Sequence, residues 1–267
     1  MEQELTKLRE VIGECDREIV QALKTRMECI EGIIQYKRNY GLPVLQPEQE
    51  KKQLDHIQKE VESTPFGDEI IHIFERIIEN SRKIQAKTLF DRNIQLIGFM
   101  GVGKSTVSAC LGKMLAMETI EMDSFIEEKE GMKISQIFET YGEEYFRNCE
   151  SNTLIELRSK DHAVISCGGG VPLRANNVEL MKKNGYIVWL TAEPDAVFDR
   201  VKNSTERPLL NGHMNVPYIA DLMESRKQKY NAAADLVIDT TGKEIVEICE
   251  ELLQKLSAMQ KNKKEEQ

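Results

Sequence analysis

The chain has 267 residues, 40% of them hydrophobic and 30% charged, with a formal net charge of −9. This length accommodates two ordinary cores and the composition is that of a soluble globular protein, while the acidic balance excludes a basic nucleic-acid surface. No stretch approaches the about 20 apolar residues of a membrane span, and Met1-Glu2-Gln3-Glu4 is acidic where a secretory leader is basic. The six cysteines, Cys15, Cys29, Cys110, Cys149, Cys167 and Cys249, form no CxxC pair, as expected for reduced thiols and a cytoplasmic location.

The N-terminal third has helical grammar. Apolar residues fall at Leu5, Leu8, Ile12, Cys15, Ile19 and Leu23 and resume at Ile30 and Ile33, with Arg26 filling the gap in the stripe. An unpaired charge on such a face is costly, and a ligand anion relieves it. Gly41 and Pro43 end this helix. Pro47 opens a second helix with Leu54, Ile57 and Val61 on one face, and Thr64-Pro65 separates it from a third. The third runs from about Asp68 to Lys87, with Ile70, Ile71, Phe74, Ile77, Ile78 and Ile84 inward. A first helix of about 35 residues is roughly 50 Å long, more than the width of a small globule. A second copy of the segment is the economical cover, giving an intertwined helical dimer whose charged inward residues line shared pockets.

After a short linker at 87–92, strands alternate with helices. Short apolar runs at Ile94 to Gly98, Thr119 to Met122, Ala163 to Ser166, Tyr186 to Leu190 and Leu236 to Ile238 flank helical stretches such as Lys104 to Leu115 and Ile134 to Arg158. Five strands with helical crossovers predict a parallel sheet covered on both faces. Residues 98–105 spell G-x-x-x-x-G-K-[ST], followed by Thr106, between the first strand and a helix. In such a loop, glycines let backbone N–H groups turn toward phosphate oxygens, the lysine reaches the β- and γ-phosphates, and the serine hydroxyl ligates Mg²⁺. Gly101, Val102, Gly103, Lys104, Ser105 and Thr106 are therefore the expected nucleotide contacts. The domains expected are 1–88, 89–260 and a frayed, charged tail at 261–267.

Glu121-Met122-Asp123 at a strand end, Phe146-Arg147-Asn148-Cys149-Glu150 in a helix, Gly168-Gly169-Gly170 after a strand, Arg207-Pro208-Leu209-Leu210, and Arg226 with Tyr230 follow the phosphate loop. Together with it they resemble the shikimate kinase family over about Asn93 to Leu256. The resemblance implies a P-loop kinase fold that uses ATP and Mg²⁺ to phosphorylate the 3-hydroxyl of shikimate. Arg147 and Arg226 then match the arginines that grip the substrate carboxylate, and Asp123 matches the carboxylate that orients the attacking hydroxyl. Gly168 to Gly170 match the backbone that approaches the ring. Arg207 is the lid arginine that joins Lys104 in stabilising the transferring phosphoryl group, Arg200 resembles the residue that stacks on adenine, and Ser105 with Glu121 address the metal. Glu150, one helical turn from Arg147, is placed to hold that guanidinium. This chain departs from the family at Glu121, where Asp-x-Asp is usual, and at Gly242-Lys243, where another arginine is often found.

In the first segment Leu8-Arg9-Glu10, Asp16, Arg26, Lys37, Pro43-Val44, Glu50, Asn80-Ser81 and Gln85 resemble the all-helical chorismate mutases over about residues 4 to 88. The implied reaction, chorismate to prephenate, needs buried cations and an amide donor rather than a covalent group. By the resemblance Arg9 crosses from the partner subunit and Arg26 holds a carboxylate. Lys37 and Gln85 address the ether oxygen and its neighbouring carboxylate, and Glu50 and Ser81 contact the remaining polar groups. Gln46 stands where an acidic residue is usual, and Gln49 where an arginine is usual. The expectation is a bifunctional aromatic-pathway enzyme, with a kinase carrying an inactive dimerisation or ligand-sensing domain as the alternative.

Overall fold

The computed structural model describes residues 2–40, 42, 46–202 and 214–265, and the chain divides into two compact units, Met1–Leu89 and Phe90–Gln267. The first unit consists of α1 (Glu2–Tyr40), α2 (Pro47–Val61) and α3 (Gly67–Leu89). Helix α1 has 39 residues, about 58 Å at 1.5 Å per residue. Only its C-terminal part is covered within the chain, through Ile30 and Ile34 on α1 and Ile78 and Ala86 on α3. The N-terminal part of its apolar stripe is open, with Leu5, Leu8, Ile12 and Ile19 between 48 and 60% exposed. Ile33, expected inward, is exposed, and Ile34 is buried in its place. The face turned toward α3 is set by Ile30, Ile34 and Lys37, an i, i+4, i+7 series.

The second unit is built on strands β1 (Asn93–Ile97), β2 (Glu118–Glu121), β3 (Ala163–Ser166), β4 (Gly185–Thr191) and β5 (Leu236–Asp239). They form one sheet in the order β2-β3-β1-β4-β5, and every pairing is parallel. Helices α4 (Lys104–Leu115), α5 (Met122–Glu130), α6 (Ile134–Glu156), α7 (Ala175–Asn184), α8 (Pro194–Val201), α9 (Val216–Ala233) and α10 (Ile245–Glu265) complete it. All five residues of β1 are buried, as a central strand covered on both faces requires. Ile97, Ile120, Ile165, Ile187, Leu154 and Tyr230 belong to one core cluster. Because the strands are parallel, their carboxyl ends share one edge of the sheet, where ligands of open α/β folds bind. The segments leaving that edge include the phosphate loop after β1, α5 after β2 and the glycine triplet after β3.

Two elements differ from the sequence-based expectation. The helix expected without a break over Ile134 to Arg158 kinks at Gly142 (φ 81°, ψ 172°), a left-handed φ that favours glycine, and gives way to a 3₁₀ turn at Leu157–Ser159. Helix α10 continues to Glu265, into the segment expected to fray; Lys and Glu are good helix formers and no proline intervenes. No helix among the described residues is long and apolar enough to cross a membrane.

Candidate functional site

The phosphate loop takes its shape from three glycines with positive φ: Gly98 at 144°, Gly101 at 80° and Gly103 at 96°. Helix α4 begins directly after Gly103, and its first turn carries no acidic residue, which leaves its positive end available to an anion. Lys104 Nζ lies over the loop, donating to the carbonyls of Gly98 (3.0 Å) and Phe99 (3.1 Å). Ser105 Oγ donates to Glu121 Oε2 at 2.9 Å, and Ser108 Oγ to Glu121 Oε1 at 2.6 Å. The carboxylate at the end of β2 is thus fixed against the first turns of α4, next to the hydroxyl expected to meet the metal. Val102, in the loop, is buried, and Thr106, in the first turn of α4, is exposed. Arg200 Nη1 donates to the Gly101 carbonyl (3.2 Å) and to Thr240 Oγ1 (3.1 Å), and Nη2 to the Thr240 carbonyl (3.0 Å), so this guanidinium links the phosphate loop to the turn after β5. Arg207 lies outside the described residues.

A second cluster surrounds Gly168 to Gly170. Arg147, on the α6 segment beyond the kink, is buried; its Nη1 donates to Glu150 Oε2 at 2.8 Å, and its Nε and Nη2 donate to Glu143 Oε1 at 3.1 and 2.7 Å. From α9 comes Arg226, also buried, with its guanidinium carbon 5.5 Å from the centre of the Phe99 ring. Tyr230, one turn further on, donates from its hydroxyl to the Gly169 carbonyl at 2.6 Å. Burial pushes the Tyr230 hydroxyl pKa up, with Arg226 and Arg147 opposing the rise and Glu150 adding to it. An added Cβ at Gly169 would come within 3.9 Å of Arg226 Nη1, at Gly168 within 3.1 Å of Asp123 Oδ1, and at Gly170 into the Arg147 guanidinium. The triplet therefore makes room for the chain's own charged side chains, a tighter constraint than the ring contact expected from the sequence.

Glu150 is 1% exposed. Burial pushes its carboxyl pKa up to about 7 against the pull of Arg147, and Asp123 adds to the rise. The buried thiol of Cys167, at the end of β3, is likewise raised by burial and feels Lys104, Glu150, Asp123 and Glu121. One edge of the sheet thus gathers a phosphate loop with its lysine, two guanidinia and a carboxylate pair. Paired guanidinia of this kind are suited to the carboxylate of an organic anion.

The helical unit has its own polar cluster. Its buried polar side chains among the described residues are Lys37, Ser81 and Gln85, each expected at a site. Lys37 Nζ donates to Gln85 Oε1 at 3.0 Å, Arg26 Nη1 donates to Ser81 Oγ, and Ser81 Oγ donates to the Ile77 carbonyl at 2.7 Å. Glu50 Oε1 lies 3.4 Å from Arg82 Nε. Burial raises the Glu50 pKa while Arg82 and Lys37 oppose it, and burial lowers the pKa values of Lys37 and Arg26. Arg9 is exposed and sits about 25 Å along α1 from Arg26, so it does not reach this cluster within its own chain. Gln49 is exposed, and Gln46 precedes α2 without a side-chain cap.

The shikimate kinase profile matches residues 100–257. The chain belongs to the shikimate kinase family. A shikimate kinase of Sulfurihydrogenibium sp. (strain YO3AOP1) is 44% identical over 165 residues, covering 62% of this chain and 98% of that protein. Among solved structures, the shikimate kinase from Acinetobacter baumannii in complex with shikimate has a TM-score of 0.60 at 34% identity, covering 67% of this chain and 98% of the other. The shikimate kinase from Aquifex aeolicus has a TM-score of 0.54 at 36% identity, covering 62% and 96%. The chorismate mutase type II profile matches residues 8–86, within the helical unit.

Of the residues expected on the kinase side, the structure gathers Lys104, Ser105 and Glu121 at the phosphate loop and Asp123, Arg147, Arg226 and Gly168 to Gly170 beside it. Sequence reasoning missed Ser108, Glu143 and Arg82. Ser108 had a detectable signal, being one helical turn from Ser105 and on the same face of α4. Glu143 had one as well, standing four residues before Arg147 on α6; Arg82 had none, because its partner Glu50 lies on another helix.

Proposed function

We propose that the sheet unit transfers the γ-phosphoryl group of ATP to the 3-hydroxyl of shikimate, giving shikimate 3-phosphate, and that the helical unit rearranges chorismate to prephenate, both within aromatic amino acid biosynthesis in the cytoplasm. The observation that carries the kinase reading is the meeting of Arg147, Arg226 and Asp123 around Gly168 to Gly170, beside a complete phosphate loop. In this reading Arg147 and Arg226 hold the shikimate carboxylate, with Glu150 and Glu143 fixing Arg147. Asp123 orients the 3-hydroxyl and accepts its proton as the oxygen attacks phosphorus. Lys104 and the N–H groups of Gly101 to Thr106 hold the phosphates, Arg200 lies along adenine, and Arg207 closes over the transferring group. The Ser105–Glu121 pair suits Mg²⁺, with Ser105 as direct ligand and the longer Glu121 reaching a metal-bound water. Bound there, Mg²⁺ neutralises charge on the β- and γ-phosphates.

In the helical unit Arg26 and Ser81 hold one carboxylate of chorismate. Lys37 and Gln85 stabilise charge on the ether oxygen, and Glu50 takes a hydroxyl. A homodimer through α1 fits the open stripe at Leu5, Leu8, Ile12 and Ile19, and it brings Arg9 of a second copy to the cluster. The test is a pair of assays on the full chain. ATP, Mg²⁺ and shikimate are expected to give shikimate 3-phosphate, and chorismate absorbance is expected to fall; phosphorylation of gluconate with none of shikimate overturns the kinase assignment. Gln46 and Gln49 favour a second reading of the helical unit as a ligand-sensing module without turnover, and chorismate binding without loss of absorbance selects it.

A further inference from the structure

Glu121 ends β2 and directly precedes α5, yet its side chain does not cap α5. It turns instead to α4, where Oε1 accepts from Ser108 at 2.6 Å and Oε2 from Ser105 at 2.9 Å. The two serines stand one helical turn apart on one face of α4, but in different settings: Ser105 is exposed and Ser108 is 1% exposed. A serine inside a helix ordinarily returns its proton to a carbonyl one turn back. For Ser108 that carbonyl, of Ser105, lies 3.3 Å away, so the nearer and charged oxygen of Glu121 takes the bond.

A hydroxyl has one proton and two lone pairs. With its proton directed to Oε2 of Glu121, Ser105 keeps both lone pairs for a cation, and the carboxylate that sets this direction is itself fixed through Oε1. A tie that merely fastened the end of β2 to α4 needs only the buried hydroxyl. Here the same carboxylate also reaches the exposed one, in the first turn after the phosphate loop. We propose that Ser108 is a positioning residue of the phosphate-loop site: it holds Glu121 so that the Ser105 hydroxyl presents its lone pairs to the divalent cation of a metal–nucleotide. The inference rests on the nucleotide half of the kinase reading above, not on shikimate as the acceptor.

The test uses the full chain saturated with ADP and titrated with Mn²⁺, a paramagnetic probe of the cation site read by electron paramagnetic resonance. The Kd of metal-free ADP and the helicity are measured for each variant. Ser108→Ala is expected to raise the Mn²⁺ Kd about tenfold while metal-free ADP binds within about twofold of the parent. A rise of less than about threefold overturns the inference, and so does an equal loss of metal-free ADP affinity, which marks general damage to the loop. In a Glu121→Ala background, Ser108→Ala is expected to add less than about twofold; a full second loss would show that Ser108 does not act through Glu121 and overturns its role. Should Ser108→Ala lose helicity, Ser108→Cys, with its weaker donor, decides by the same threshold. If the parent chain binds Mn²⁺ with ADP but leaves shikimate unphosphorylated, the acceptor reading fails and the Mn²⁺ titrations still decide the inference. If the parent binds no Mn²⁺ with ADP, the nucleotide reading itself falls and takes the inference with it.

Discussion

The two units solve the same problem, holding cations that face an organic acid, with unequal means. In the sheet unit, Arg147 is braced by Glu150 and Glu143, and β1 is covered along its whole length. In the helical unit, the buried apolar residues among those described are Ile30, Ile34, Ile78 and Ala86, and the stripe beyond them on α1 lies open. A site can be completed within one chain only where that chain also supplies the core that fixes it. On this reasoning the proposed kinase pocket needs a single copy, and the proposed helical pocket needs the second copy inferred above.

Substitutions can break this contrast. Lys104→Ala is expected to lower kcat/KM for shikimate phosphorylation by about 10³-fold, the scale for losing a preorganised charge at a transition state. Chorismate turnover measured on the same sample should be unchanged, and a parallel fall would show that the units do not act independently. Arg147→Ala is expected to cost about 10²-fold in kcat/KM, mostly through the KM for shikimate with that for ATP little altered, because it also strands buried Glu150. For the helical unit, Ile12→Asp is expected to weaken the dimer at least about tenfold, since one substitution removes apolar burial from both copies. Sedimentation should show dissociation while the kinase kcat persists, and an unshifted mass would refute the α1 interface.

The smallest effect concerns pH. Burial raises the Glu150 pKa from the ordinary carboxyl value of 4.5 to about 7, so between those values the folded state binds more protons than the unfolded state. The stability this group contributes is complete below 4.5 and is lost as pH rises through 7. Glu150→Gln fixes the neutral form. Its melting temperature relative to the parent is expected to be about 5 °C higher at pH 8 than at pH 5.5, and a gap that does not change with pH would contradict the buried carboxyl.

Where a feature depends on local pattern it could be read from the chain alone. The phosphate loop, the five strands and the apolar faces of α2 and α3 are of this kind, since each is written in the spacing of neighbouring residues. Features set by packing were hidden. That Ile34 rather than Ile33 faces α3 is a difference of one residue, about 100° of helical rotation, and an apolar pair in sequence does not settle which member turns inward. The kink at Gly142 could not be told from a helical glycine, because only its φ distinguishes the two. The partnership of Glu50 with Arg82 joins α2 to α3, and no periodicity within either helix announces it. Glycines 168 to 170 suggested close approach, but the groups that approach, Arg147 and Asp123, come from α6 and α5.

The central claim is that Arg147 and Arg226 grip one carboxylate in one cleft. A double-mutant cycle on kcat/KM for shikimate, using Arg147→Ala, Arg226→Ala and the double variant, tests it most directly. If both hold the same group, the double variant should lose at least about tenfold less than the product of the single losses; losses that multiply within about twofold would place the two arginines in separate sites and contradict the account.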